Sequence, residues 1–305
     1  MLDPRPPAQR LGYDRAPAQA ANRARNLLGG DARADRWQTV HDEVWNMIEP
    51  LLEARSRVAI VGAGNGDDLP LQRLASRVSA VTLIDLDPRA PRRARRRLPR
   101  TLRARVTAIT NDVTTGAADA VTLAARRGED PKLPALDRSP LPDSPYDLVI
   151  GNLFYSQLLY PGLLDVGVAP SRRANALRRL APPLTEAVVA RLHASTTGAA
   201  LHLHDPLGWW DGHDQAMAPM QFVELSQRDP AAALQAVAHG AGPHESDPRT
   251  ALGAAGIPIR ETRMWVWPFA EGVDYLVCAT LAGRAGATET AEDGARSGRG
   301  LPRPA

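Results

Sequence analysis

Five short apolar runs punctuate the chain: Val58 to Val61, Val78 to Ile84, Val106 to Thr110, Tyr146 to Ile150 and Ala199 to Leu203. Each is rich in β-branched or aliphatic residues and closed by glycine or polar residues, which predicts buried strands. Between them, apolar residues recur at helical spacing over about 67–76, 88–98, 114–127 and 172–194, with Pro182-Pro183 expected to interrupt the last. Strands alternating with helices predict a parallel sheet covered on both faces. Upstream, Trp37, Val40, Val44, Met47, Ile48, Leu51 and Leu52 share one face, so 36–54 reads as an amphipathic helix, capped by Asp35 and bent near Pro50.

The pattern loosens after the fifth run. Helices are expected over 229–239 and 247–255. Ile257 to Trp267 and Val273 to Ala282 then read as two long strands joined by the turn Pro268-Phe269-Ala270-Glu271-Gly272. Residues 1–34 are rich in Pro, Ala, Arg and Gly and read as a flexible arm with a short helix near 18–28. Residues 284–305 read as a disordered tail, and 128–145 as an exposed loop.

Composition narrows the class. The 305 residues are 44% hydrophobic and 23% charged, ordinary for a globular protein with a real core. No apolar stretch is long enough to cross a membrane, and no secretory signal is visible. A single cysteine, Cys278, excludes an internal disulfide. Together these lead us to expect a cytoplasmic protein. The net charge is +3, and all but one of the 37 cationic side chains are arginine. The arginines from Arg89 to Arg105 surround a narrow stripe of Ala90, Ala94 and Leu98, which reads as a solvated helix covering the sheet.

The first run ends in Gly62-Ala63-Gly64-Asn65-Gly66-Asp67-Asp68. Glycines between a strand and a helix let backbone approach a nucleotide closely. A dinucleotide fingerprint would want its third glycine at position 67, where Asp67 would oppose a pyrophosphate. The tighter Gly62, Gly64, Gly66 spacing suits S-adenosylmethionine (SAM), which has no phosphate and carries an ammonium. Asp85, followed by Leu86 at the second strand end, is placed to accept from ribose hydroxyls. Asp87, before Pro88, reads as a helix cap. Asp112, after Asn111, ends the third strand and could accept from an adenine amine.

Val58–Asp68, Leu83–Pro88, Asn111–Val113 and Tyr146–Asn152 resemble the successive motifs of class I SAM-dependent methyltransferases. The resemblance covers about residues 54–282. It implies a doubly wound, mostly parallel seven-stranded α/β sheet with a C-terminal antiparallel strand, under an N-terminal helical cap (35–54). It also implies that 35–283 form the SAM-binding domain. On this resemblance Gly62, Ala63, Gly64, Asn65 and Gly66 pack against SAM, Asp85 with Leu86 holds the ribose, Asp112 with Val113 meets the adenine, and Asn152 lies near the methyl donor. Many members carry an acid where this chain has Ile60, so the methionine ammonium is expected to rely on carbonyls near Gly62 and on Asp67 or Asp68.

Asn152-Leu153-Phe154-Tyr155 partly resembles the Asn-x-Pro-Tyr motif of amino-group methyltransferases, with Phe154 in place of proline. Tyr155 and His204 are the candidate catalytic residues. His202 and His204 point to one face of a strand, which admits a general base, a metal site or a core histidine; no metal is expected. Residues 205–255, with Trp209-Trp210, are expected to help build a substrate pocket. The expected function is methyl transfer to a small-molecule or peptide acceptor. A nucleic-acid acceptor, or a non-catalytic SAM-binding role, is the alternative. An aminopropyltransferase would carry acids after the fourth strand, which Asn152 to Tyr155 lack.

Overall fold

A computed structural model describes residues 16–27, 36–242 and 244–283. The expected arm at 1–15 and 28–34, the cap residue Asp35 and the tail 284–305 lie outside the described residues. Seven strands form one sheet: β1 (Arg57–Val61), β2 (Ala80–Asp85), β3 (Val106–Thr110), β4 (Tyr146–Asn152), β5 (Thr196–Trp209), β6 (Ile259–Ala270) and β7 (Val273–Gly283). Their order is β3-β2-β1-β4-β5-β7-β6. The first five are parallel; β7 runs antiparallel between β5 and β6.

The period-2 alternation sorts side chains onto two faces. Val58, Ile60, Leu148, Ile150, Leu201 and Leu203 face one core, shared with α2 (Gln38–Ile48). Ala59, Val61, Val149 and Ala200 face the other, beneath α6 (Ala117–Arg126) and α8 (Pro170–Ala194). Between them come α1 (Pro17–Asn26), α3 (Leu71–Arg77), α4 (Ala90–Arg97), α5 (Arg100–Arg103) and α7 (Tyr160–Asp165).

Three expectations about elements need correction. Pro182 and Pro183 do not interrupt α8, which runs for 25 residues. Each proline removes a backbone bond and costs about 3 kcal/mol in a helix. Leu180, Ala181, Leu184, Val188 and Leu192 continue the same buried stripe across the prolines and offset that cost. The fifth strand does not stop at Leu203: β7 pairs with it through Trp209, past an irregularity between His204 and Leu207. The segment 205–255 therefore begins as sheet. Its remainder forms α9 (Pro219–Arg228), α10 (Pro230–His239) and α11 (Pro248–Ala254). The first two pack Phe222, Val223, Ala233 and Val237 on Leu207, Met264 and Leu276. The helix α9 has only Phe222 and Val223 buried, too narrow a stripe to stand out in the sequence.

Candidate cofactor site

The site lies at the carboxyl ends of β1, β2, β3 and β4. Gly62, Gly64 and Gly66 all hold positive φ values, 72°, 49° and 65°. At Gly62 space is also limiting: a Cβ there would come within 2.9 Å of the Asn152 carbonyl and 2.8 Å of the Phe154 ring. The Asp85 carboxylate holds the turn, accepting from the Gly64 amide at 2.7 Å and the Asp87 amide at 2.8 Å. It is 4% exposed, and burial, against those hydrogen bonds, pushes its carboxyl up to about 6. Asp87 is not the cap expected of it: it accepts from the Arg89 amide at 2.9 Å in a turn ahead of α4, whose N-cap position is Arg89 and carries no side-chain cap bond.

A cleft enclosing about 590 Å³, its open mouth included, faces these groups. Gly62, Asp85, Leu86, Asp112 and Val113 line it, as the sequence led us to expect. Ala63, Gly64, Asn65, Gly66 and Asn152 do not; the first four shape the turn behind it. The Asn65 side chain donates instead to the Asn26 carbonyl at 2.8 Å.

Asp112 lines the cleft, but its carboxylate is engaged by its own loop. One oxygen accepts from the Thr114 amide and hydroxyl, both at 2.8 Å, and the other from the Gly116 amide at 2.7 Å. The free acceptor is next door. The Asn111 Oδ1 is buried without a partner among the described residues, and Asn111 lines the cleft. Sequence reasoning passed over Asn111 because the neighbouring acid is the louder signal.

The two acids after the glycines part company. Asp67 is ion-paired with Arg97 at 2.6 Å. Asp68 accepts from the Asn152 amide at 2.9 Å, and burial pushes its carboxyl up to about 6. Asn152 also donates to the Gly62 carbonyl at 3.3 Å, which leaves its buried Oδ1 unpartnered among the described residues. Asp68, Asn152 and Gly62 thus form one polar cluster at the end of β1. The helix α1 crosses the cleft mouth with Ala18, Ala21 and Asn22. Its backbone and side chains reach Asp119 (2.8 Å), the Leu86 carbonyl (3.0 Å) and Asp165 (2.9 Å).

Both candidate catalytic residues point elsewhere. Tyr155 is wholly buried beneath the sheet, its hydroxyl 2.5 Å from His202 Nδ1, with His202 Nε2 3.0 Å from His193. Gly151 makes room for it: a Cβ there would strike the Tyr155 hydroxyl. The Tyr155 ring is 0% exposed, so no nucleobase can stack on it, and burial raises the hydroxyl's pKa well above its usual value. Phe154, stacked on Tyr155 with centroids 4.3 Å apart, lines the cleft instead. His204 is buried, its Nδ1 bonded to the Cys278 carbonyl at 3.1 Å and its Nε2 3.4 Å from Asp247. Burial, only partly offset by Asp247, pushes it down to about 4. His202 is a core histidine, also pushed down by burial. The thiol of Cys278 is buried and raised to about 12, hence inert.

The parallel sheet closed by an antiparallel strand beside β5, with a glycine turn after β1 and an acid ending β2, decides the fold. The chain has the class I methyltransferase fold. No protein-family model matches the chain, and no curated protein does. Among solved structures it resembles a SAM-dependent methyltransferase from Methanosarcina mazei, at 12% identity over 77% of this chain and 95% of that one, with a TM-score of 0.41. It also resembles magnesium protoporphyrin IX methyltransferase from Synechocystis, solved with S-adenosylhomocysteine, at 15% identity over 80% of this chain and 82% of that one (TM-score 0.41). A SAM-dependent methyltransferase from Aquifex aeolicus matches at 13% identity over 82% and 97% (TM-score 0.37). These likenesses are of fold. Among the described residues, no helix is long and apolar enough to cross a membrane.

Proposed function

We propose that this protein binds SAM in the cleft and transfers its methyl group to a small-molecule or peptide acceptor. The observation that carries the reading is Asp85, a buried carboxylate on the glycine turn that faces the cleft while holding the Gly64 amide. Each oxygen keeps a lone pair for a ribose hydroxyl. The orphaned Asn111 Oδ1 fits an adenine amine, since a buried acceptor left unmade costs about 1–3 kcal/mol. Asp68 and the Asn152 Oδ1 fit the methionine ammonium, and they replace the acid missing at Ile60.

When bound, SAM supplies an electrophilic methyl on a sulfonium sulfur. The chain's own part is then to orient the two reactants and exclude water. Support for a compact acceptor comes from the far strand ends. There Trp37, Trp267, Phe269 and Tyr275 form an aromatic cluster with centroids 5.0–6.0 Å apart. Asp205, which accepts from the Ser156 hydroxyl at 2.8 Å, is raised to about 6 by burial. A carboxyl in that range can take a proton from an acceptor near neutral pH.

The test is methyl transfer from radiolabelled SAM into cell extract separated into low-mass, peptide and nucleic-acid fractions. Label in the low-mass or peptide fraction is the expected result. Label confined to nucleic acid would favour the alternative acceptor. Absence of transfer by a chain that binds SAM would favour a non-catalytic role.

A further inference from the structure

Between Arg89 and Arg105 stand nine of the chain's 37 cationic side chains and none of its 34 acids. The whole chain carries +3, so the remainder carries −6. Such asymmetry is more than the composition requires. The structure shows where the charge is aimed. Arg93 lies 3.8 Å from Asp87, and Arg97 pairs with Asp67 at 2.6 Å. Arg103 donates to the carbonyls of Leu98 and Arg96, and Arg105 to those of Ser76 and Val78. Arg92 and Arg96 are exposed and have no acid in ion-pair reach among the described residues. They stand one helical turn apart on α4, about 6 Å along its axis. With Arg95 they form one wall of an open groove.

The opposite wall is the edge strand β3, at Val106, Thr107 and Ala108. The Arg105 carbonyl accepts from Val81, and the Asn111 amide donates to Asp85, so the odd residues of β3 turn toward β2. Pairing alternates along a strand, so the amides of Val106 and Ala108 turn outward beside the groove. Three guanidinium groups and two outward amides are all donors to an anion. Among the described residues no aromatic ring lines the groove, so the recognition there is of charge and not of base stacking.

We propose that this groove docks the phosphate backbone of a nucleic acid, without regard to sequence. It is separate from the cofactor cleft and does not depend on what that cleft methylates. The arginines hold the phosphates; the neutral amides add directional bonds.

The experiment is fluorescence anisotropy of the full chain with labelled oligouridylate, oligothymidylate and polyglutamate. With three phosphates neutralised, affinity for the oligonucleotides is expected to fall about 20-fold between roughly 50 and 200 mM salt. Uridylate and thymidylate bind alike if the backbone alone is read; a large preference for the ribose form adds 2′-hydroxyl contacts to the same groove. The double variant Arg92→Glu, Arg96→Glu loses at least ten-fold in affinity. Arg92→Gln, Arg96→Gln loses less but in the same direction, should charge reversal disturb folding. Both variants keep wild-type affinity for S-adenosylhomocysteine. No binding at low salt, affinity indifferent to salt, or unchanged affinity in the glutamine variant overturns the proposal. Polyglutamate bound as tightly as the oligonucleotides overturns it in favour of an acidic polypeptide.

Discussion

Asp85 has two duties that reinforce each other. Its bonds to the Gly64 and Asp87 amides freeze the glycine turn, and the same bonds fix the direction of its remaining lone pairs. Tyr155 shows the opposite relation between motif and role. It stands where an amino-group methyltransferase would place a stacking aromatic, yet it lies 0% exposed against His202. Tyr155→Phe is expected to leave S-adenosylhomocysteine affinity unchanged. It should lower stability by about 1–3 kcal/mol, the cost of leaving a buried His202 nitrogen unpaired. Urea denaturation beside calorimetric titration checks both halves; a stable variant with weakened binding would return Tyr155 to the site. The residues legible in the sequence were those whose chemistry follows from position on a strand end: Gly62, Asp85, Val113. Asn111 and the burial of Tyr155 were not legible, because each depends on what a neighbour does. Asp112 turns its carboxylate onto Thr114 and Gly116, and Gly151 opens a space beneath the strand.

At the scale of elements, α1 is the piece with the most direct hold on the cleft. Its polar contacts are partly exposed: Arg25 and Asp165 are 30% and 15% exposed, and the other bonds are single hydrogen bonds to Asp119, the Leu86 carbonyl, Asp87 and Asn65. An ion pair of that kind contributes about 0.2–1 kcal/mol. Arg25→Ala is therefore expected to speed amide exchange across 17–26 by up to about five-fold. S-adenosylhomocysteine should slow exchange there in both proteins. Exchange as slow as that of β1, with or without the ligand, would make α1 a fixed wall and not a cover. Sequence periodicity found the strands and the α2 stripe because burial on one face writes a period. It misjudged α8, where two prolines argue for a break and only the packing of Leu180, Leu184 and Val188 shows why none occurs. The extent of β5 was hidden for a similar reason: its last residues are held by β7, some 70 positions away.

The whole molecule divides its charge and its chemistry. A cationic edge at α4 and β3 lies to one side of a cleft whose polar groups are acids and amides. On the proposed reading, two buried acids at and beside the cleft give cofactor binding a pH dependence of known direction. Asp68 and Asp85 both have carboxyls near 6, raised chiefly by burial. If their ionised forms hold the ammonium and ribose, affinity is full from about a unit above 6 and falls as pH drops through 6, by as much as about ten-fold per unit for each carboxylate. The most direct measurement is calorimetric titration of S-adenosylhomocysteine into the full chain above and below pH 6, beside Asp85→Ala and Asp68→Asn. The account predicts saturable binding at neutral pH that weakens on acidification and is reduced at least ten-fold in each variant, since a hydrogen bond to a charged group contributes about 1.5–3 kcal/mol. No binding, binding that strengthens as pH falls, or variants indistinguishable from wild type would contradict it.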